Sequence, residues 1–341
     1  METSIKAYTR AGLESLMKEL GQPRFRAQQV YEWLYAKHAA SYDDMSNLPA
    51  ALRAQLSEQL PLHPATVVDR QVSADGTRKY LIEYDDGAQV EAVAIPSEVD
   101  ARLTVCFSTQ AGCAMACAFC ATGREGFTRN LLPGEIVEQV LIAQDDMGTR
   151  VTNVVAMGQG EPFLNYDNTL AALRILNDPK GVGLGARHIA VSTCGIVPGI
   201  ERFADEPEQF TLAVSLHATN QAVRDMLMPK VEKFRVKELR AVLGKYTEKT
   251  NRRVTLEYIM IDGVNDDAEA LEGLCRFCTG LLCHVNLIPI NAVPGSPFEP
   301  SSKATVDAWL AAIPKRGTEA TLRHSRGSDI AGACGQLKNS R

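Results

Sequence analysis

LTVCFSTQAGCAMACAFCATGREGFTRNLLPGEIVEQVLIAQDDM, residues 103–147, reads as a strand, a long loop and a helix in succession. LTVCFS is a short apolar run of strand length, and PGEIVEQVLIAQDDM carries apolar residues at helical spacing. The same alternation continues down the chain. TNVVAM (152–157) precedes a helix over NTLAALRILN, and HIAVST (188–193) precedes VPGIERFA. FTLAVSL, RVTLEYIM, HVNLIPI and EATLRHS follow, with helices between most of them. Strands alternating with helices imply an α/β fold: a parallel sheet with right-handed crossovers, as an open sheet or a complete or partial barrel. In such folds ligands sit at the C-terminal ends of the strands.

Upstream the pattern differs. RAGLESLMKEL and RAQQVYEWLYAKH are helical, punctuated by Pro23 and the turn from Asn47 to Pro49. RKYLIEY and QVEAVAIP read as strands around the turn at Asp85, Asp86 and Gly87. The expected organisation is a helical accessory domain over 1–60, a β-rich extension over 61–98, and an α/β domain over 99–341.

The chain has 45% apolar and 23% charged residues, ordinary for a globular protein. No stretch is long and apolar enough to span a membrane, and METSIKAYTRAGLESL lacks the apolar core of a secretory signal. A cytoplasmic location is therefore expected, and a monomer with it. A net charge of −5 makes the overall field mildly repulsive to nucleic acid, so any such partner must be held by local basic patches and shape. Nine cysteines in a reducing compartment point to metal binding or catalysis rather than to a disulfide framework.

Within the loop, Cys113, Cys117 and Cys120 are spaced Cys-x3-Cys-x2-Cys, with Gly112, Ala114, Ala116 and Ala118 between and beside them. Thiolates suit iron–sulfur clusters and zinc. Three cysteines on one loop can hold three irons of a four-iron cluster and leave the fourth open to a small molecule. Zinc normally takes four ligands, and no further Cys or His pair follows closely.

The triplet resembles the signature of the radical S-adenosylmethionine superfamily. The blocks around it narrow the match: Cys106 to Asn130, MGQGEPFLN, VSTCGIVP, SLHATN, RDMLMPK, VTLEYIMIDGVND, VNLIPIN and RGSDIAGACGQL. In this order they resemble the RlmN family of adenine carbon-2 RNA methyltransferases, and the likeness runs almost end to end. The carbon-8 methyltransferase Cfr is similar too, though Pro162 after Gly160 and Glu161 looks more like RlmN. The resemblance implies a partial (βα) barrel of the radical S-adenosylmethionine type, a [4Fe-4S] cluster on Cys113, Cys117 and Cys120, and two S-adenosylmethionine molecules per turnover. It implies 23S ribosomal RNA, transfer RNA or both as substrate, and an electron donor such as flavodoxin or ferredoxin.

Polar residues recur just where the fold rule expects a ligand. Gly160 and Glu161 follow TNVVAM, Ser192 ends HIAVS, Ser215 and His217 end FTLAVSLH, and Asn291 follows HVNLIPI. By resemblance Gly160, Glu161, Ser192, Ser215, Leu216, His217 and Asn291 bind S-adenosylmethionine, with Glu161 facing its ammonium group. The residue matching Cys334 becomes methylated and carries the one-carbon unit. A radical from the second S-adenosylmethionine activates that methyl for addition to the base. Cys106 resolves the covalent RNA adduct, leaving a Cys106–Cys334 disulfide, and Glu91 matches the proposed general base. Taken on pattern alone, Glu91 is a solvent-facing position of an alternating strand.

Cys275 and Cys278 lie in the helical run EALEGLCRFCTGLL and read as packing; Cys194 and Cys283 have no assigned role. Candidate RNA contacts are Arg24 and Arg26, the run Lys230 to Arg240, Arg252 with Arg253, and Lys315, Arg316, Arg323 and Arg326, each of which also reads as part of a solvated face. Two alternatives stand beside the main reading: a Cfr-like carbon-8 methyltransferase, and a non-enzymatic iron–sulfur or RNA-binding protein.

Overall fold

The structure, a computed structural model, describes residues 4–97 and 99–339. The expected domain limits at residues 1, 98 and 341 fall outside them. Three helices come first: α1 (Arg10–Glu19), α2 (Phe25–Tyr35) and α3 (Ala50–Gln59). Three strands follow: β1 (Ala65–Val72), β2 (Arg78–Tyr84) and β3 (Gln89–Pro96). They form an antiparallel meander, and β3 in turn pairs antiparallel with β4 (Leu103–Cys106). Next come β5 (Gln110–Gly112), α4 (Ala121–Glu125) and β6 (Phe127–Asn130), with β5 and β6 forming a two-stranded clip around the cysteine loop.

The remainder alternates. After α5 (Pro133–Met147) come β7 (Asn153–Ala156), α6 (Tyr166–Asn177), β8 (Ile189–Thr193), α7 (Val197–Phe203) and β9 (Thr211–Ser215). Then follow α8 (Gln221–Leu227), α9 (Val236–Thr250), β10 (Val254–Met260), α10 (Ala268–Cys278), β11 (Cys283–Pro289), α11 (Lys303–Lys315) and β12 (Glu319–Leu322). One ten-stranded sheet runs β1-β2-β3-β4-β7-β8-β9-β10-β11-β12. From β4 onward every pairing is parallel and in sequence order, an unclosed run of parallel strands joined by helices. The α/β partial-barrel reading is borne out. No helix among the described residues is long and apolar enough to cross a membrane.

The β extension is continuous with the main sheet, and β1, which the sequence reading passed over, is its edge strand. Val67 and Val72 are exposed there, so apolar alternation is weak. The N-terminal helices dock on α5 and share the main core, where Leu13, Met17, Val30 and Leu34 join Ile136 and Val140. Beneath this contact Lys6 pairs with Glu138 in full burial, and His63 Nδ1 lies 2.7 Å from the same carboxylate. Burial would raise the Glu138 carboxyl, but the Lys6 charge and the hydrogen bond with His63 hold it below its ordinary value. A side chain at Gly134 would meet the Lys6 carbonyl at 2.1 Å, so this approach admits only glycine.

Candidate active site

A cleft of about 970 Å³, partly open to solvent, lies at the C-terminal ends of the parallel strands. The loop between β5 and β6 wraps one side of it. Gly112 has φ +71°, and a Cβ there would sit 2.1 Å from the Gly126 carbonyl, while Cys113 N donates to that carbonyl at 2.7 Å. Gly123 is equally confined, its Cβ position 2.9 Å from the Cys117 nitrogen. The loop is also tied to α8, since Ala118 N donates to the Leu227 carbonyl at 2.9 Å. Cys113, Cys117 and Cys120 all line the cleft as free thiols. Burial pushes the Cys113 thiol up to about 11 and the Cys117 thiol further still.

This donor set fits an iron–sulfur cluster. Soft sulfurs flank one cleft, yet no three His, Cys, Asp or Glu among the described residues converge tightly enough to hold a single metal ion. That arrangement disfavours a lone zinc.

Gly160, Glu161, Ser192, Ser215, His217 and Asn291 line the same cleft. Glu161 is nearly buried, accepting from Phe163 N at 3.0 Å and from Cys194 N at 2.7 Å. Burial raises its carboxyl and these donors pull it back, leaving it above the ordinary value. His217 has φ +56°. Its Nδ1 accepts from Ile259 N at 3.1 Å, which places any neutral-ring hydrogen on Nε2. Burial, then the nearby Arg224 charge, pushes His217 down to about 3, so it serves the cleft as a neutral donor. Its ring meets Phe119 edge-on at 4.9 Å.

Two expected ligand residues are placed differently. Leu216 does not line the cleft: its side chain is fully buried and its amide donates to the Glu257 carbonyl at 3.0 Å. Asn291 lines it but donates to the Cys334 carbonyl at 3.0 Å, holding the loop on which Cys334 sits.

Cys334 is exposed and lines both this cleft and an adjoining pocket of about 680 Å³. Cys106 lines that second pocket, so the sheet and the C-terminal tail bring together two cysteines 228 positions apart in the chain. The Cys106 thiol is pushed up to about 12 by burial and by its proximity to Cys334. Arg323 lines both pockets; its charge acts on Cys334 first, then on Glu257 and Cys106, and Glu257 Oε2 lies 3.8 Å from it. The tail is fixed to the residues just past Cys120. Ala121 N donates to the Gly335 carbonyl at 2.7 Å, and Thr122 Oγ1 to the Leu337 carbonyl at 2.6 Å.

Glu91 is not solvent-facing. It is fully buried, 2.9 Å from Lys79 Nζ, and accepts from Lys338 N at 2.8 Å. Val93 pairs with Cys106, so Glu91, Val93 and Cys106 share a sheet face, and Leu337 covers it. The alternation was right, but the face meets the tail instead of water. Glu91 lines neither pocket.

Most candidate RNA contacts are engaged within the chain. Arg24 pairs with Glu14 at 2.7 Å, Arg253 with Glu319 at 2.5 Å and Arg316 with Glu272 at 2.9 Å. Arg26, Arg240 and Arg252 donate to backbone carbonyls, Arg326 pairs with Asp75, and Arg323 belongs to the thiol pair. Lys230, Lys233, Lys237 and Lys315 stay exposed. The sequence reading missed Arg224, Glu257 and Thr122, and took Arg323 for an RNA contact. Only Glu257 carried a signal, as a charge inside the apolar strand VTLEYIM.

Comparisons with known proteins agree with this geometry. Residues 107–278 match the Radical SAM superfamily, and residues 3–61 match the ribosomal RNA large subunit methyltransferase N-terminal domain. A probable dual-specificity RNA methyltransferase RlmN from Clostridium novyi (strain NT) is 42% identical over 336 residues, covering 98% of this chain and 97% of that one. One from Synechococcus elongatus is 47% identical over 327 residues, covering 94% and 89%. The crystal structure of a radical SAM methyltransferase from Sphaerobacter thermophilus superposes with a TM-score of 0.95 at 46% identity, covering 99% of this chain and 100% of that chain.

Proposed function

The chain belongs to the RlmN family of radical S-adenosylmethionine RNA methyltransferases, and on that premise we propose that it methylates carbon 2 of an adenosine in 23S ribosomal RNA, transfer RNA or both. Membership of an enzyme family displaces the non-enzymatic binding-protein alternative. One observation carries the finer reading: Cys334 faces the triplet cleft on one side and the Cys106 pocket on the other. A carrier that must be charged at one place and resolved at another needs that position.

Cys113, Cys117 and Cys120 hold the [4Fe-4S] cluster, and Glu161 receives the ammonium group of S-adenosylmethionine in a charge-assisted pair. When bound, the cluster supplies the electron that opens the sulfonium bond of S-adenosylmethionine. An electron carrier of the flavodoxin or ferredoxin kind delivers that electron. His217 and the serines at the strand ends donate hydrogen bonds to the rest of the molecule.

Cys334 takes a methyl group by displacement, losing its proton as S-adenosylhomocysteine leaves, with Arg323 lining both pockets beside it. For that carbon to join the base, one hydrogen atom of the methyl would pass to the 5′-deoxyadenosyl fragment of the second S-adenosylmethionine and one electron would return to the cluster; Glu91 takes the ring proton. Glu91 reaches the base only after the tail has moved, because Lys338 caps it while the tail is docked. Cys106 then attacks the Cys334 sulfur. The sulfur–carbon bond breaks, its electron pair stays on carbon, and a proton completes the methyl group. A Cys106–Cys334 disulfide remains for a dithiol to reduce.

Nucleoside mass spectrometry of ribosomal and transfer RNA, with and without the enzyme, tests the assignment. The expected product is 2-methyladenosine, appearing only with enzyme; 8-methyladenosine in its place overturns the carbon-2 reading in favour of Cfr-like chemistry.

A further inference from the structure

Arg224, on α8, is 1% exposed and heads the buried side chains by size. Its Nη2 donates to the Cys194 carbonyl at 2.7 Å, and Nη1 lies 3.4 Å from the Leu216 carbonyl, 3.5 Å from the Ser215 carbonyl and 3.8 Å from the Met228 sulfur. Nε has no hydrogen-bond partner among the described residues. Among the described residues no carboxylate stands within ion-pair distance. The neighbouring Asp225 is turned to Arg235 and Gln221, and Glu161 to its own backbone donors. The guanidinium is also closely packed, since a Cβ at Gly195 would meet Nη2 at 2.8 Å.

A buried, unpaired guanidinium costs several kcal/mol unless an anion compensates it. Carbonyl oxygens satisfy its hydrogens but bring no charge. Its position indicates where the anion belongs. Cys194, Ser215 and Met228 are walls of the cleft, and Arg224 stands directly behind them. The cysteine loop is tied to the same helix, since Ala118 N donates to the Leu227 carbonyl at 2.9 Å, and Cys117 lines the cleft on the other side of that wall. Three thiolates around a doubly positive four-iron core leave one net negative charge, and reduction adds another.

We infer that Arg224 is the buried counter-charge of the iron–sulfur cluster and holds its reduction potential up. It is a positioning and tuning residue, touching neither S-adenosylmethionine nor RNA. The inference rests on the cluster reading of Cys113, Cys117 and Cys120. It goes further in naming a residue outside the triplet that makes the cluster reducible.

The experiment is a spectroelectrochemical titration of the full chain, reconstituted anaerobically, without S-adenosylmethionine. Arg224→Gln should bind the same iron and sulfide as the wild type, yet show at least a tenfold lower reduced-to-oxidised ratio at a fixed potential. For a one-electron couple that is about 59 mV. Arg224→Lys, which keeps the charge, should stay close to the wild type. Should the glutamine variant fail to fold, Met228 decides. Met228→Glu sets a carboxylate against Nη1 and should lower the potential, whereas Met228→Gln should not. Equal potentials in Arg224→Gln and the wild type, or in the two Met228 variants, overturn the proposal. So does a loss of S-adenosylmethionine affinity in Arg224→Gln with no change in potential, which would make Arg224 a ligand-binding residue. Failure of the wild type to take up iron and sulfide overturns the cluster reading itself, a distinguishable result.

Discussion

The amide of Lys338 donates to Glu91 Oε2 at 2.8 Å, and this bond ties the strand beside Cys106 to the tail that carries Cys334. The other carboxylate oxygen is 2.9 Å from Lys79, and both side chains of that pair are at most 2% exposed. Removing one member leaves a buried charge alone, so Glu91→Gln and Lys79→Met should each cost about 3–5 kcal/mol in denaturant unfolding. The double variant Lys79→Met/Glu91→Leu should recover most of that loss, because a packed apolar pair replaces a buried ionic one. It separates stability from chemistry: a well-folded double variant should give no product, and turnover at the wild-type rate would remove Glu91 from the role of base.

The two tail-side thiols should part company when replaced singly. Cys106→Ala should accumulate a protein–RNA conjugate, visible as a retarded nuclease-sensitive band. Cys334→Ala should give neither conjugate nor product. Normal turnover by Cys106→Ala would end its resolving role.

The parallel strands were legible because each is a short apolar run, and the cleft was legible because its polar residues follow those runs. Glu161, Ser192 and Ser215 needed only the rule that ligands sit at strand ends. Glu91 failed for a reason of distance along the chain. Its neighbours Lys79 and Lys338 arrive from another strand and from the far terminus, so alternation gave the correct face but not what covers it. Leu216 was expected from the resemblance alone; its side chain is buried away from the cleft, and polarity at strand ends gives no signal for it. Arg323 read as a surface cation in sequence and Arg224 carried no reading of its own; only the fold turns Arg224 inward and sets Arg323 in the cleft.

Alkylation should distinguish the same thiols by pH. Cys106, pushed up to about 12 by burial, holds roughly one part in ten thousand as thiolate at pH 8. In cluster-loaded protein, iodoacetamide at that pH should therefore label the exposed Cys334 and spare Cys106 until the chain is unfolded. Because folding raises the Cys106 pKa, its contribution to stability is fully present below about pH 8.5 and fades as pH climbs toward 12.

The tail begins at an acid-sensitive anchor. Asp75 accepts from Thr77 N at 2.9 Å and Gly327 N at 3.0 Å and pairs with Arg326 at 3.1 Å. Asp329 accepts from Ser73 Oγ at 2.6 Å. Burial would raise the Asp75 carboxyl, but the donors from Thr77 and Gly327 outweigh it and hold the group well below the carboxylate range. A folded pKa below the unfolded one means the anchor is fully present above about pH 4 and is lost as pH falls further. Asp75→Asn keeps an acceptor but not the charge, and charge-assisted bonds are about twice as strong as neutral ones. The tail from Gly327 to Asn339 should then open more often at neutral pH, and trypsin should cut after Arg326 about five- to thirty-fold faster, the ratio for a loss of about 1–2 kcal/mol. Since Cys334 rides on that tail, Asp75→Asn should also lower turnover while leaving cluster content unchanged. Equal cleavage at Arg326 in the variant and the wild type would show that the tail is held by its contacts with Ala121, Thr122 and Glu91 alone.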